Sequence, residues 1–324
     1  MPLPSSGQIA FSQLAAELGN ACSNVSLRSY SACANLTSPD SIIELRGKSC
    51  IPVFGAGAWS VGGAMITGRG YLAGAGTQNA GLAAGGYITV SLSCTEEYNG
   101  TSWSAGGALI TARNGLAGAG TQNEGLVAGG NIITANIVTC TEEYNGTAWS
   151  TGGALSTARY ALAGAGTQNE GLAIGGVTVS CTEEYNGTSW SAGGALITAR
   201  FYLAGAGSQG AGLVIGGYNG ASVSCTEEYN GTSWSAGGGL ITARYALAGA
   251  GTQNEGLAIG GVTVSCTEEY NGTSWSAGGA MITARYVLAG AGSQAAGLVT
   301  GGLTPTTVSC TEEYTKSVTS ICLG

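Results

Sequence analysis

Three kinds of side chain able to carry charge or bind a polar ligand recur at fixed spacing along this 324-residue chain. They are an arginine (Arg69, Arg113, Arg159, Arg200, Arg244, Arg285), a pair of adjacent glutamates (Glu183-Glu184 and equivalents) and a tryptophan (Trp59, Trp103, Trp149, Trp190, Trp234, Trp275). An arginine ring would bind anions, paired carboxylates would hold calcium, and tryptophans would stack on sugars. Recurrence at every repeat argues instead for a structural role, because a local ligand site rarely needs six identical copies. One glutamate of each pair is therefore expected to bond an arginine or backbone amides between repeats, and the arginines and tryptophans to pack there. Twelve repeat glutamates against six arginines leave an acidic excess, which keeps weak cation binding open.

Catalysis has little to work with. There is no histidine, which removes Ser-His-Asp and Cys-His chemistry and histidine-ligated metals. A glycosidase needs two carboxylates converging in one pocket, and the repeated glutamates offer no unique pair. GAGTQNEG imitates a dinucleotide fingerprint but lacks the strand-to-helix context. No catalytic residue, cofactor or metal is expected, and the chain reads as a non-enzyme.

Six of the ten cysteines occupy one equivalent position per repeat. Stacked sheets lie about 10 Å apart, whereas a disulfide needs Cα atoms within about 7 Å, so these thiols should not pair with one another. They read as small buried hydrophobes. Cys50 and Cys322 flank the repeat region and would meet if the chain closes on itself; whether they, or Cys22 and Cys33, form disulfides is open.

The elements that position these residues follow from the repeat. LAGAG opens at Leu72, Leu116, Leu162, Leu203, Leu247 and Leu288; a Gly-Gly pair and then CTEEY follow in each copy. A period of 41 to 46 residues with no apolar i, i+3, i+4, i+7 pattern indicates a propeller blade and not a helical repeat. Each copy fits four strands: A (LAGAGTQ), B (GLAIGG), C (TVSCTEEY) and D (SWSAGGALI). Asn-Gly between C and D is a strong hairpin signal, since both residues tolerate positive φ. Glycine within a strand costs roughly 0.5–1 kcal/mol, so two in every A strand imply a place where only small side chains fit, the crowded centre of a ring. The chain starts its repeats with a lone D strand (Ala58 to Met65) and ends them with A, B and C (Tyr286 to Tyr314). Joined, these complete a sixth blade and close the ring. The fold class is thus all-β, a six-bladed propeller (residues 51–324) preceded by a small module (residues 1–50).

Length varies only in the B–C connection, four residues between Gly176 and Cys181 but nine between Gly130 and Cys140. Strand alternation puts the B–C and D–A loops on one face. Tyr87, Asn131, Tyr218, Asn219 and Pro305 decorate that face beside the D–A residues Tyr160, Tyr202, Tyr245 and Tyr286. Loops on a rigid scaffold carry binding, and tyrosine and asparagine suit carbohydrate, with flat apolar faces and paired donors and acceptors. These eight tyrosines and asparagines are the candidate receptor-binding residues.

Arg159, Gly175-Gly176, Tyr185 and Trp190, with their equivalents over residues 54–314, resemble the kelch repeat. The copper site known on a kelch-type propeller uses histidine ligands and is excluded here; sialidase-like Asp boxes are absent too, Tyr185 standing where the Asp would be. The glycine-rich TEEYNGTSW copies also resemble arrays in phage tail-fibre and receptor-binding virion proteins. The first residues, PSSGQIAFS through to GKS, resemble the N-terminal module of phage tail-associated proteins, with a short helix capped by Ser12. The resemblance implies a tail-fibre or tail-associated structural protein that binds a host surface glycan or protein through its propeller loops. Alternatively it is a purely structural baseplate or tail decoration. Residues 1–50 would dock on other virion proteins or on a symmetry mate in a homo-oligomer. The implied location is the virion tail, after synthesis in the host cytoplasm. A net charge of −8 with no basic cluster argues against nucleic acid, and no apolar stretch approaches 18 residues, against membrane insertion. No secretory signal is read at the N-terminus.

Overall fold

The A strand alternates buried and half-buried residues because its glycines fall on one face; the B strand, flanked by A and C, is buried throughout. C follows as a mostly buried TEEY and D as an edge whose tryptophan alone turns inward. In the computed structural model, which describes residues 50–132, 136–177, 179–262 and 264–322, this pattern gives six four-stranded antiparallel sheets. The expected helix at Ser12, residues 1–49 of the attachment module with Cys22 and Cys33, and the side chains of Cys50 and Cys322 lie outside what is described.

The first blade is Ala73–Thr77, Ala80–Ala84, Thr95–Tyr98 and Trp103–Ala105. Blades two to five open with A strands at Ala117, Ala163, Ala204 and Ala248. The sixth takes Ala289–Gly292, Ala296–Thr300 and Thr311–Cys322 from the far end of the repeats, and Cys50–Gly62 from the near end. The blades form one compact unit, Ala58–Thr315. The A strands touch in succession and the sixth touches the first, so the ring is closed and the fold is a six-bladed β-propeller.

The two A-strand glycines serve different ends. A Cβ on Gly118 would stand 2.7 Å from the Gly74 carbonyl oxygen, and one on Gly74 the same distance from that of Gly290. The same conflict passes from blade to blade, which places LAGAG at the axis. Gly120 instead takes φ +92°, and its Cβ would fall 2.1 Å from the Glu124 carbonyl oxygen across the A–B turn.

Polar side chains join neighbouring blades in rings that also close. Trp149 Nε1 donates to Thr95 Oγ1 of the preceding blade at 2.9 Å; across the seam Trp103 donates to Thr311 and Trp59 to Thr267, both at 2.9 Å. The second glutamate of each pair accepts from the tyrosine of the next blade: Tyr144 to Glu97 and, at the seam, Tyr98 to Glu313, each 2.5 Å. Gln122 Nε2 donates to the Tyr98 carbonyl at 2.7 Å, and Gln78 does the same to Tyr314 at 2.8 Å. Each tryptophan also packs on its own blade's tyrosine, with centroids 4.8 Å apart for Tyr144 and Trp149.

Two expectations are corrected. The repeat cysteines are not buried hydrophobes: Cys225 is exposed and the other five partly so, all unpaired. They precede strand C at the rim, where the backbone is what matters; the Cys94 carbonyl accepts from Gly85 N at 3.0 Å. The C–D turn is a four-residue loop in which only glycine has positive φ, +88° at Gly100. Asn99 contributes its side chain instead, its Oδ1 accepting from the amides of Thr101 and Ser102 at 3.0 and 2.9 Å.

Candidate ligand-binding face

The charged residues that recur at every repeat are spent on structure. Arg113 pairs with Glu142 at 3.1 Å, Arg159 with Glu183 at 2.9 Å, Arg244 with Glu268 at 2.8 Å and Arg285 with Glu312 at 3.1 Å; Arg69–Glu96 and Arg200–Glu227 complete the set. All twelve side chains are buried. The same glutamate accepts from the D–A loop backbone, as when Glu142 takes the Ile110 and Thr111 amides at 2.7 and 3.2 Å. It thus ties the loop arriving from one blade to strand C of the next. Burial lowers the affinity of Arg113, Arg159 and Arg285 for their protons, against the pull of their carboxylates and neighbouring cysteines. Among the described residues no group of histidine, cysteine, aspartate and glutamate is arranged to hold a metal ion.

The B–C and D–A loops share one face, as the ladders between them show. Asn114 and Asn131 exchange backbone hydrogen bonds of 3.0 and 2.8 Å, Phe201 and Tyr218 of 3.1 and 2.8 Å. Closer to the axis, the residue before each LAGAG leucine adopts the left-handed conformation: Tyr71, Gly115, Ala161, Tyr202, Ala246 and Val287, with φ between +48° and +61°. For a residue with a Cβ this costs about 1–2 kcal/mol. What it secures is a ring of backbone hydrogen bonds. Gly115 N donates to Tyr71 O, Ala161 N to Gly115 O, and so on to Tyr71 N on Val287 O, at 2.8 to 2.9 Å throughout. These residues and the leucines that follow them wall a small cavity of about 90 Å³.

Tyr71 and Tyr202 enter from opposite blades and meet across the axis, ring centroids 6.1 Å apart. Burial raises both phenol pKa values above the ordinary tyrosine range, and nearby tyrosines raise them further.

Beside this pair opens a cavity of about 340 Å³ lined by Tyr71, Tyr87, Thr89, Ser91, Asn114, Asn131, Tyr160 and Tyr202. That volume lies within the roughly 300–1,000 Å³ typical of small-ligand sites. Asn114 Nδ2 donates to Ser91 Oγ at 2.9 Å and to the Asn131 carbonyl at 3.2 Å, which fixes one wall. Asn131 Oδ1 is buried and accepts no hydrogen bond from the described residues.

Four of the eight candidates, Tyr87, Asn131, Tyr160 and Tyr202, come together in this cavity. The other four do not line it. Tyr218 packs on Tyr245 at 5.0 Å and on Phe201 at 5.5 Å, so these rings fill each other's space. Asn219 is exposed on its loop, and Tyr286 bonds Leu303 through its backbone at 3.0 Å. Tyr71, Thr89, Ser91 and Asn114 went unforeseen. Tyr71 stands where other copies carry Gly, Ala, Tyr or Val, and Asn114 where they carry Gly, Tyr or Phe, departures from the repeat that are visible in the sequence.

No protein-family model matches this chain, and no curated protein matches it.

Proposed function

We propose that the chain is a virion attachment protein, a kelch-like tail-fibre or tail-associated component, that holds a host-surface glycan in the cavity between the loops of its propeller. The observation that carries this reading is the cavity itself. Aromatic faces, hydroxyls and carboxamides from six loops converge there, the groups that sugar recognition uses. The closed ring behind it supplies the rigidity that keeps the cost of binding low. The virion setting is supported by the sequence resemblance of the TEEYNGTSW copies and the PSSGQIAFS start.

A second reading, a purely structural tail or baseplate decoration, is favoured by the D–A isoleucines. Ile66, Ile110, Ile197, Ile241 and Ile282 are 58% to 65% exposed and recur in five of the six copies, a surface that suits contact with another protein. The two readings separate when labelled full-length chain is added to susceptible and resistant host cells. Attachment is expected only to the susceptible cells, and it should be lost on stripping their surface glycans. Equal or no attachment to both would favour the decoration reading.

A further inference from the structure

The loops that surround the cavity carry no exposed charge. Their sequences, YITVSLS at 87–93, NIITANIVT at 131–139, VTVS at 177–180, YNGASVS at 218–224, VTVS at 262–265 and LTPTTVS at 303–309, contain neither acid nor base. The D–A loops contribute only the six repeat arginines, each buried against its glutamate. The exposed acids Glu124, Glu170 and Glu255 belong to the A–B turns on the opposite face. A carboxylated ligand would therefore shed its hydration in this cavity without meeting a cation, a loss that neutral hydroxyl and amide donors do not repay.

The cavity's own chemistry is specific. The Asn114 and Asn131 carboxamides are built into its wall, Asn114 through Ser91 and the Asn131 carbonyl, and Asn131 Oδ1 is closed off from the cavity. Ser91 Oγ already serves Asn114 and donates to the Asn131 carbonyl at 3.3 Å, and the rings of Tyr71 and Tyr202 pack on each other. The hydroxyls of Tyr87, Thr89 and Tyr160 have no partner within the protein among the described residues and remain for a ligand. Tyr71 and Tyr87 meet edge to face, with centroids 6.5 Å apart, which leaves an aromatic face for stacking.

Resting on the glycan reading above, we propose that this cavity takes an uncharged sugar residue, a neutral hexose or N-acetylhexosamine. Its hydroxyls bond the Tyr87, Thr89 and Tyr160 hydroxyls, and its ring lies against the tyrosines. Sialic and uronic acids are excluded, because among the described residues no accessible cation lines the cavity.

The test uses full-length chain and saturation-transfer NMR with calorimetry. The probes are galactose, glucose and N-acetylglucosamine on one side, and glucuronic and N-acetylneuraminic acid on the other. At least one neutral sugar should bind and neither acid should. Tyr160→Phe should weaken that binding tenfold or more, and so should Thr89→Val, a milder change at an exposed loop position that leaves the near-ultraviolet circular dichroism untouched. Binding of an acid as tight as that of any neutral sugar would overturn the proposal, and so would neutral binding indifferent to both substitutions. Attachment to susceptible cells with no neutral sugar bound would overturn it too, while leaving the attachment reading intact. Absence of both attachment and sugar binding would remove the two together.

Discussion

At the residue scale, most of what the repeats preserve is packing chemistry. Gly118 has no room for a methyl group, with backbone of the neighbouring blade 2.7 Å from where its Cβ would stand. Gly118→Ala should cost on the order of 1–3 kcal/mol, as overpacking of a tight interior does. Gly210, with nothing within 4 Å, should accept alanine almost freely, and the two denaturation midpoints measure the contrast. Glu142→Ala should be worse than either, by roughly 3–5 kcal/mol, because it strands the buried Arg113 charge and frees two loop amides. The sequence made the pairing of arginine with one glutamate legible, since equal recurrence implies mutual need. It did not separate the two glutamates, because alternation along strand C sends one into the loop and the other to the next blade, and either order fits the letters. The cysteines misled for a related reason: invariance across copies reads as burial, whereas at the rim it is the cysteine carbonyl that the Gly-Gly amide uses.

At the scale of elements, strand C and the B–C loop have separable roles. The strand C tyrosines are held protonated: burial first, then donation to a carboxylate, pushes Tyr98, Tyr185 and Tyr270 up to about 12. An unfolded tyrosine titrates near 10. Between those values the folded chain binds more protons than the unfolded one, so stability falls as pH rises. The contribution of these tyrosines is fully present below pH about 10 and is lost as pH climbs through about 12. Denaturant midpoints taken from pH 8 to 11.5 should stay level and then drop, with phenolate absorbance appearing together with unfolding. Early ionisation at constant stability would contradict this. The B–C loop, by contrast, is replaceable. Residues 131–139 span the same anchors as residues 177–180, Gly129 N bonding Cys140 O at 2.9 Å and Gly175 N bonding Cys181 O at 3.0 Å. Exchanging the long loop for Val-Thr-Val-Ser should leave thermal stability within about 0.5 kcal/mol and abolish ligand binding. Loop-length variation pointed to this face from sequence alone. Which sector holds the cavity was not legible, because Tyr71 reaches it only through a left-handed backbone that its side chain disfavours.

At the scale of the whole molecule, closure decides whether a rigid face exists at all. An orphan D strand at one end of the repeats and an A–B–C set at the other make the seam readable in the sequence, and the sixth sheet joins them. The cyclic hydrogen bonds were not readable, since a backbone ring at Tyr71, Gly115, Ala161, Tyr202, Ala246 and Val287 leaves no mark on residue type. A sealed ring makes its seam indistinguishable from its other joints, and a double-mutant cycle measures that directly. Tyr98→Phe with Glu313→Gln probes the seam, and Tyr144→Phe with Glu97→Gln probes an interior joint of the same 2.5 Å geometry. Both cycles should return a coupling of about 1.5–3 kcal/mol, equal to each other within about 0.5 kcal/mol. Full coupling at the interior joint with none at the seam would mean that the ring is open.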